Sequence, residues 1–341
     1  MWILDAVLPT TPIRSRKLCH SFMGASAMTT PTIFAATWRS GLFVLTGNTL
    51  RREMAEQPVT GLAPDGNSGV LAIVGGRSLC RRLADGEWRT LATGESELSC
   101  CVAVGDAIYV GTDDAHVLRV GANGTFEQLG GFDAVAGRDK WYAGTALIDG
   151  RLVGPPLGVR SIAATCNDAV LLANVHVGGI PRSNDGGVTW QPTIDIDNDV
   201  HEVRAHPTRP DIVIAAAAIG LCVSEDSGAT WTIEQEGLHA PYCSAVAFAG
   251  DDILVSASTD HFAAQGAIYR RPIDGDVGLL PVGGGLPRWI EGIADTGCIA
   301  TRGSAVAVID RAGNLYLSED ASRTWSCGVD RLPAPSSILI C

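Results

Sequence analysis

The sequence predicts an all-β ring of seven four-stranded antiparallel blades, and three observations predict it. An octapeptide of pattern Ser-x-Asp-x-Gly-x-Thr-Trp occurs at Ser183–Trp190 and recurs at Ser224–Trp231. It returns at Ser318–Trp325 with Ser322 in place of the glycine. An aromatic residue after each turn, at Trp88, Phe126, Trp190, Trp231 and Trp325, marks a period of roughly 40–45 residues once one insertion is set aside, the repeat length of a four-stranded propeller blade. Finally, Ser336–Cys341 reads as a lone strand, while the first unit has only three. The tail can therefore supply the missing innermost strand and close the ring, which removes two open sheet edges. A six-bladed ring with the N-terminal unit outside it is the alternative count.

The elements follow in order. Apolar, β-prone runs at 32–38, 42–46 and 49–54 form the three-stranded first unit. The second reads as strands at 59–63, 70–74, 78–82 and 88–91, with a turn at Asp85-Gly86. The third reads as strands at 100–104, 107–110, 116–119 and 126–129, with a turn at Asn123-Gly124. Residues 138–158 are an insertion carrying Trp141, Tyr142 and Pro155-Pro156. A fourth unit starts at Val159 and a fifth at Val200, each ending in a full octapeptide. A sixth starts near Cys243 and turns at Asp274-Gly275. A seventh starts near Ile290 and ends in the altered octapeptide. Residues 1–27 contain Arg14, Arg16, Lys17 and His20 without an apolar stretch behind them. They read as a disordered extension rather than a signal peptide, ahead of a single domain over 28–341.

Each octapeptide lies between two β-prone runs and reads as a hairpin turn. The Asp can accept bonds from nearby backbone N–H groups, the Gly tolerates positive φ, and the Trp can pack beneath the turn. Ser183, Asp185, Gly187, Thr189 and Trp190, their counterparts Ser224, Asp226, Gly228, Thr230 and Trp231, and Ser318, Asp320, Thr324 and Trp325 are thus structural residues, with the turn at Ser322 expected to be altered. The pattern resembles the Asp-box, or BNR repeat, of sialidase-like and photosystem II assembly factor-like β-propellers. That resemblance implies that the box joins the third and fourth strands of a blade, on the face opposite the functional one.

Composition sets bounds. The 341 residues carry 25 basic against 37 acidic side chains, a net charge of −12, which argues against non-specific nucleic-acid binding. No apolar run approaches the roughly 18–20 residues of a membrane span. The 10 cysteines are scattered along the chain without a Cys-x-x-Cys pair. They read as buried thiols in a reducing, cytoplasmic setting. No cofactor or metal is predicted, and the chain is expected to be a monomer.

On the face implied to be functional, the loops that enter innermost strands or join second to third strands hold Lys140, Trp141, His176, His201, His239, Tyr242, Asp260, His261, Arg288 and Trp289. Aligning innermost strands at Val159–Ile162, Val200–Val203, Cys243–Val246 and Ile290–Ile293 puts Arg160, His201, Ser244 and Glu291 at one height, with Thr60, Cys100 and Ser336 in other units. These would form a polar collar. One reading is a module that binds a small molecule, a carbohydrate or a protein partner through this face. The other is an enzyme, glycosyl hydrolase-like or a lyase. Glycoside hydrolysis needs two carboxyls across one bond, and Glu291, Asp260 and, in reserve, Glu202 are the candidates. The Arg-Ile-Pro motif and the Tyr–Glu pair that the sialidase resemblance implies are absent, so a typical sialidase is not expected.

Overall fold

A computed structural model describes residues 31–66, 69–144, 146–148, 151–153, 157–275 and 277–341; the expected extension over 1–27 lies outside them. Seven four-stranded antiparallel blades form a ring. From innermost to outermost strand, blade I consists of Pro335–Ile340, Thr32–Thr37, Gly41–Thr46 and Thr49–Glu53. Blade II holds Val59–Asp65, Gly69–Val74, Ser78–Arg82 and Trp88–Thr93. Blade III holds Leu98–Val104, Ala107–Thr112, Val117–Val120 and Phe126–Gln128. Blade IV holds Val159–Ala164, Leu171–Val175, Pro181–Ser183 and Gln191–Pro192. Blade V holds Val200–Ala205, Val213–Ala217, Gly220–Ser224 and Thr232–Glu234. Blade VI holds Tyr242–Ala249, Asp252–Ser258, Gln265–Pro272 and Leu280–Pro281. Blade VII holds Ile299–Arg302, Ala305–Ile309, Leu315–Ser318 and Ser326–Val329. A short helix (Gly130–Asp133), a 3-10 turn (Arg138–Lys140) and a two-stranded hairpin (Ala146–Ile148, Arg151–Val153) lie between blades III and IV.

The last strand closes the ring as the composition of the first unit predicts. It pairs antiparallel with Thr32–Thr37, setting Ile33 opposite Ile340 and Ala35 opposite Ile338. The innermost strands pack each against the next around the whole circle. The cores lie between blades, which is why the second strands are apolar on both faces. In blade V, Val213, Ala215 and Ala217 pack towards blade IV, while Ile214 and Ala216 pack towards blade VI. Among the described residues no helix is long and apolar enough to cross a membrane.

One strand differs from the sequence reading. Ile290-Glu291 is not innermost in blade VII; it pairs with Gln265–Pro272 of blade VI, and Ile299–Arg302 takes the inner position. The spacing of Ile290 and Ile293 imitates that of Val200 and Val203, but both isoleucines are buried in the approach to the strand.

The octapeptides form the same turn three times, joining third to fourth strands. Ser183 Oγ accepts from Gly187 N, while Asp185 accepts from Thr189 N and Thr189 Oγ1. Ser224 and Asp226 repeat this with Gly228 and Thr230. Thr189 and Thr324 hold the Asp185 and Asp320 carboxyls down at about 2. The altered copy keeps these bonds, with Ser322 N donating to Ser318 Oγ at 3.0 Å. Ser322 does so at φ 66, where Gly187 and Gly228 stand at 89 and 79. The turn is therefore retained, at the cost of a left-handed non-glycine backbone.

The three tryptophans are not equivalent. Trp190 and Trp325 are buried and donate Nε1 to the carbonyls of Gly187 and Ser322 in their own turns. Trp231 is only partly buried, and its Nε1 reaches Thr193 Oγ1 of the neighbouring blade. Trp190→Ala is therefore expected to cost roughly 3–5 kcal/mol, and Trp231→Ala about 1–3 kcal/mol because less surface leaves water. Urea denaturation of the two variants checks this; equal losses would contradict the difference in burial.

Candidate functional site

In an up-and-down blade, the loops joining second to third strands and those entering innermost strands share one face. On this face six innermost strands carry a β-bulge at the same level. The residues skipped in pairing are Ser336, Thr60, Ser99, Arg160, His201 and Ser244. A bulge leaves one residue unpaired and re-aims its side chain. The sequence alignment thus holds for Thr60, Arg160, His201, Ser244 and Ser336. It is one residue off in blade III, where Ser99 replaces Cys100.

Several of these side chains clasp the next blade. Ser336 Oγ donates to Val59 O, Ser99 Oγ to Val159 O and Ser244 Oγ to Ala294 O, while His201 Nδ1 meets Cys243 O at 2.6 Å. Each clasp lands on the carbonyl just before a neighbour's bulge position. By that rule the collar residue of blade VII is Asp295, not Glu291. Arg160 Nη2 lies 3.4 Å from Asp295 Oδ1 and donates to Thr296 Oγ1 at 2.9 Å, linking blade IV to blade VII. Thr296 Oγ1 in turn donates to His201 O at 3.1 Å.

Around this bridge the mouth is densely polar. His176, on the loop after Leu171–Val175, sets Nε2 3.3 Å from Asp199 Oδ1; His201 Nε2 lies 3.6 Å from Asp199 Oδ2. Asp199 enters blade V at φ 48, and Val177, the residue after His176, stands at φ 45. A β-branched residue there is an outlier, so the backbone beside His176 is strained at Val177, whereas an Asp tolerates this region. Burial works against the Asp199 carboxyl, yet the two imidazoles hold it far below the usual carboxylate range. Burial pulls His176 down. The Tyr242 ring packs on His201 at 4.6 Å, and burial raises its phenol. On the other side, burial lowers His261 to about 4, and Arg311 Nη2 stands 3.4 Å from its Nε2 and 4.0 Å from Asp295.

Arg160, His176, His201, Tyr242 and His261 are therefore brought together. His239, Arg288 and Trp289 form a separate group. His239 Nδ1 lies 2.8 Å from Tyr269 Oη, and the Arg288 guanidinium stacks 4.5 Å from the Trp289 ring. Trp289 and His239 border a groove of about 440 Å³ with Thr259 and Gln265. Lys140 is exposed on its 3-10 turn, whereas Trp141 is buried against Phe132 at 5.7 Å and belongs to a blade core.

The three nominated carboxyls do not meet. Glu202 is fully buried, accepting from Val246 N, Gly297 N and Arg204. Asp260 caps Phe262 N in its own loop. Glu291 is exposed and paired with Arg331 at 3.2 Å. Sequence reasoning missed Asp199, Asp295 and Arg311. Asp199 was legible as the residue entering the His201 strand; Asp295 was hidden by the register of blade VII.

No family model and no curated protein matches this chain. Solved structures do match in fold. An ancestral GH74 enzyme aligns with TM-score 0.58 at 14% identity, covering 91% of this chain and 40% of its own. The Niastella koreensis GH74 enzyme aligns with TM-score 0.57 at 14% identity, covering 87% and 47%. The computationally designed Ika8 protein aligns with TM-score 0.55 at 14% identity, covering 91% and 87%. The chain thus spans less than half the length of the two GH74 enzymes it resembles, and the likeness is one of fold.

Proposed function

We propose that this chain is an Asp-box propeller that binds a small polar ligand of carbohydrate type at the mouth of its ring. One observation carries the reading. Side chains from blades IV to VII converge there, and all four exposed aromatic rings among the described residues, Trp38, Tyr142, Phe262 and Trp289, stand in loops of that same face. A polar centre ringed by amphipathic rings suits a ligand with both hydroxyls and apolar faces. The buried thiols of Cys80, Cys101, Cys222, Cys243 and Cys298 support the cytoplasmic setting.

The enzymatic alternative draws on the two GH74 neighbours. Against it, Glu202, Asp260 and Glu291 are each engaged elsewhere, and hydrolysis of a glycosidic bond asks for two carboxyls about 5–10 Å apart in one cleft.

A thermal-shift screen of neutral and acidic sugars tests the proposal, since a ligand that binds only the folded state raises the midpoint. Arg160→Ala is expected to weaken the binding sugar about 10-fold or more, the loss of a hydrogen bond from a charged group. Absence of any shift across the panel would point to a protein partner instead. Release of sugar product would favour the enzyme.

A further inference from the structure

With both imidazoles neutral, the cluster of His176, Asp199 and His201 leaves buried polar atoms unpaired. His201 Nδ1 faces the carbonyl oxygen of Cys243 at 2.6 Å, and a carbonyl only accepts, so Nδ1 carries the proton. In the neutral ring Nε2 is then a bare lone pair. That lone pair is buried, has no hydrogen-bond partner, and faces a carboxylate oxygen 3.6 Å away. Asp199 Oδ1 and His176 Nδ1 are likewise buried without a hydrogen-bond partner. The His201 lone pair facing a carboxylate oxygen in a buried space calls for a cation, a proton or a metal ion, between them.

We propose that His176, Asp199 and His201 form a mononuclear site for a divalent transition ion of the zinc class, open towards the mouth of the ring. The three ligand atoms all lie within 4.8 Å of one another. Donors bound at roughly 2.0–2.2 Å around a tetrahedral ion stand about 3.3–3.6 Å apart; His176 Nε2 is 3.3 Å from Asp199 Oδ1 and His201 Nε2 is 3.6 Å from Asp199 Oδ2, so each imidazole stands at ligand spacing from one of the two carboxylate oxygens. Two imidazole nitrogens and one carboxylate oxygen, without a thiolate, are a ligand set that leaves a fourth position for water or ligand. The bond from His201 Nδ1 to a backbone carbonyl is the outer contact that orients a metal-bound histidine. Side-chain exposure falls on Asp199, at 31%, against 6% and 1% for the histidines, so the open position faces solvent. The site stands on its own geometry and does not depend on the sugar reading.

The test uses the full chain without an affinity tag, stripped with chelator and titrated with zinc(II) by calorimetry. Cobalt(II) serves as a second probe, read by its visible ligand-field bands. One ion per chain is expected. Asp199→Asn, His201→Gln and His176→Gln should each weaken binding by about 100-fold or more, exceeding the 10–100-fold cost of losing an outer contact. A Cys166→Ser/Cys327→Ser double variant and Glu291→Gln should bind as the parent does. No saturable binding would overturn the site and leave a proton as the bridging cation. Undiminished binding in the three ligand variants, or loss in the cysteine variant, would overturn it as well. Circular dichroism identifies any variant that does not fold; the remaining ligand variants then decide.

Discussion

Ending the chain after Leu332 is expected to abolish cooperative folding. The lost segment supplies the innermost strand of blade I, Pro335–Ile340, and touches three blades. It pairs along Thr32–Thr37, Ser336 Oγ donates to Val59 O of blade II, and Ile338 N donates to Gly297 O beside blade VII. Ile338 and Ile340 are 3% and 4% exposed, and burying each is worth about 1.5–3 kcal/mol. Their loss alone approaches the roughly 5–15 kcal/mol that holds a domain folded. The truncated ring would also present an unpaired edge along Thr32–Thr37, an invitation to association. Calorimetry and size-exclusion chromatography of the truncated chain check this. A single sharp transition near that of the full chain would mean the ring is held without its closing strand.

That closing strand was legible because strand count and periodicity are local properties. Four apolar runs per unit and an aromatic after each turn follow from the alternation of buried faces, and Ser336–Cys341 completes the count. The collar was legible for the same reason at Arg160, His201 and Ser244, whose neighbours Val159, Val200 and Cys243 mark the strand entry. Blade VII failed because Ile290-Glu-Gly-Ile293 has the right spacing yet pairs with another blade. Sequence spacing cannot say which partner a short strand takes. The site failed partly for a different reason. Asp199 matters only through a histidine on a loop of blade IV and another on the innermost strand of blade V, and Arg311 only through Asp295; such pairings exist in three dimensions and leave no periodic trace. Trp141 shows the converse error, an aromatic in a polar loop that turns inward to a core.

Glu202 poses the sharpest question for the enzymatic alternative, because a buried carboxyl whose pKa is raised by its burial has the character of a general acid. Its contacts argue for a clamp. Oε2 accepts from Val246 N at 3.0 Å, and Oε1 accepts from Gly297 N at 3.2 Å and from Arg204 Nε at 2.8 Å, so one carboxylate ties blade V to blade VI and to the approach of blade VII. Glu202→Ala would leave two backbone N–H groups without acceptors, each costing about 1–3 kcal/mol. The Arg204 side chain is 41% exposed and can turn to water, so its charge adds little. The expected loss is roughly 2–6 kcal/mol, the cost of two unpaired N–H groups. Glu202→Gln keeps an oxygen that can serve one N–H and should lose about 1–3 kcal/mol. Urea denaturation measures both, with an unchanged m-value marking a true change in stability. The alternative outcome is equally definite: a Glu202→Ala protein that is within about 1 kcal/mol of the parent but has lost ligand binding or turnover would make this carboxyl a functional group and the clamp incidental.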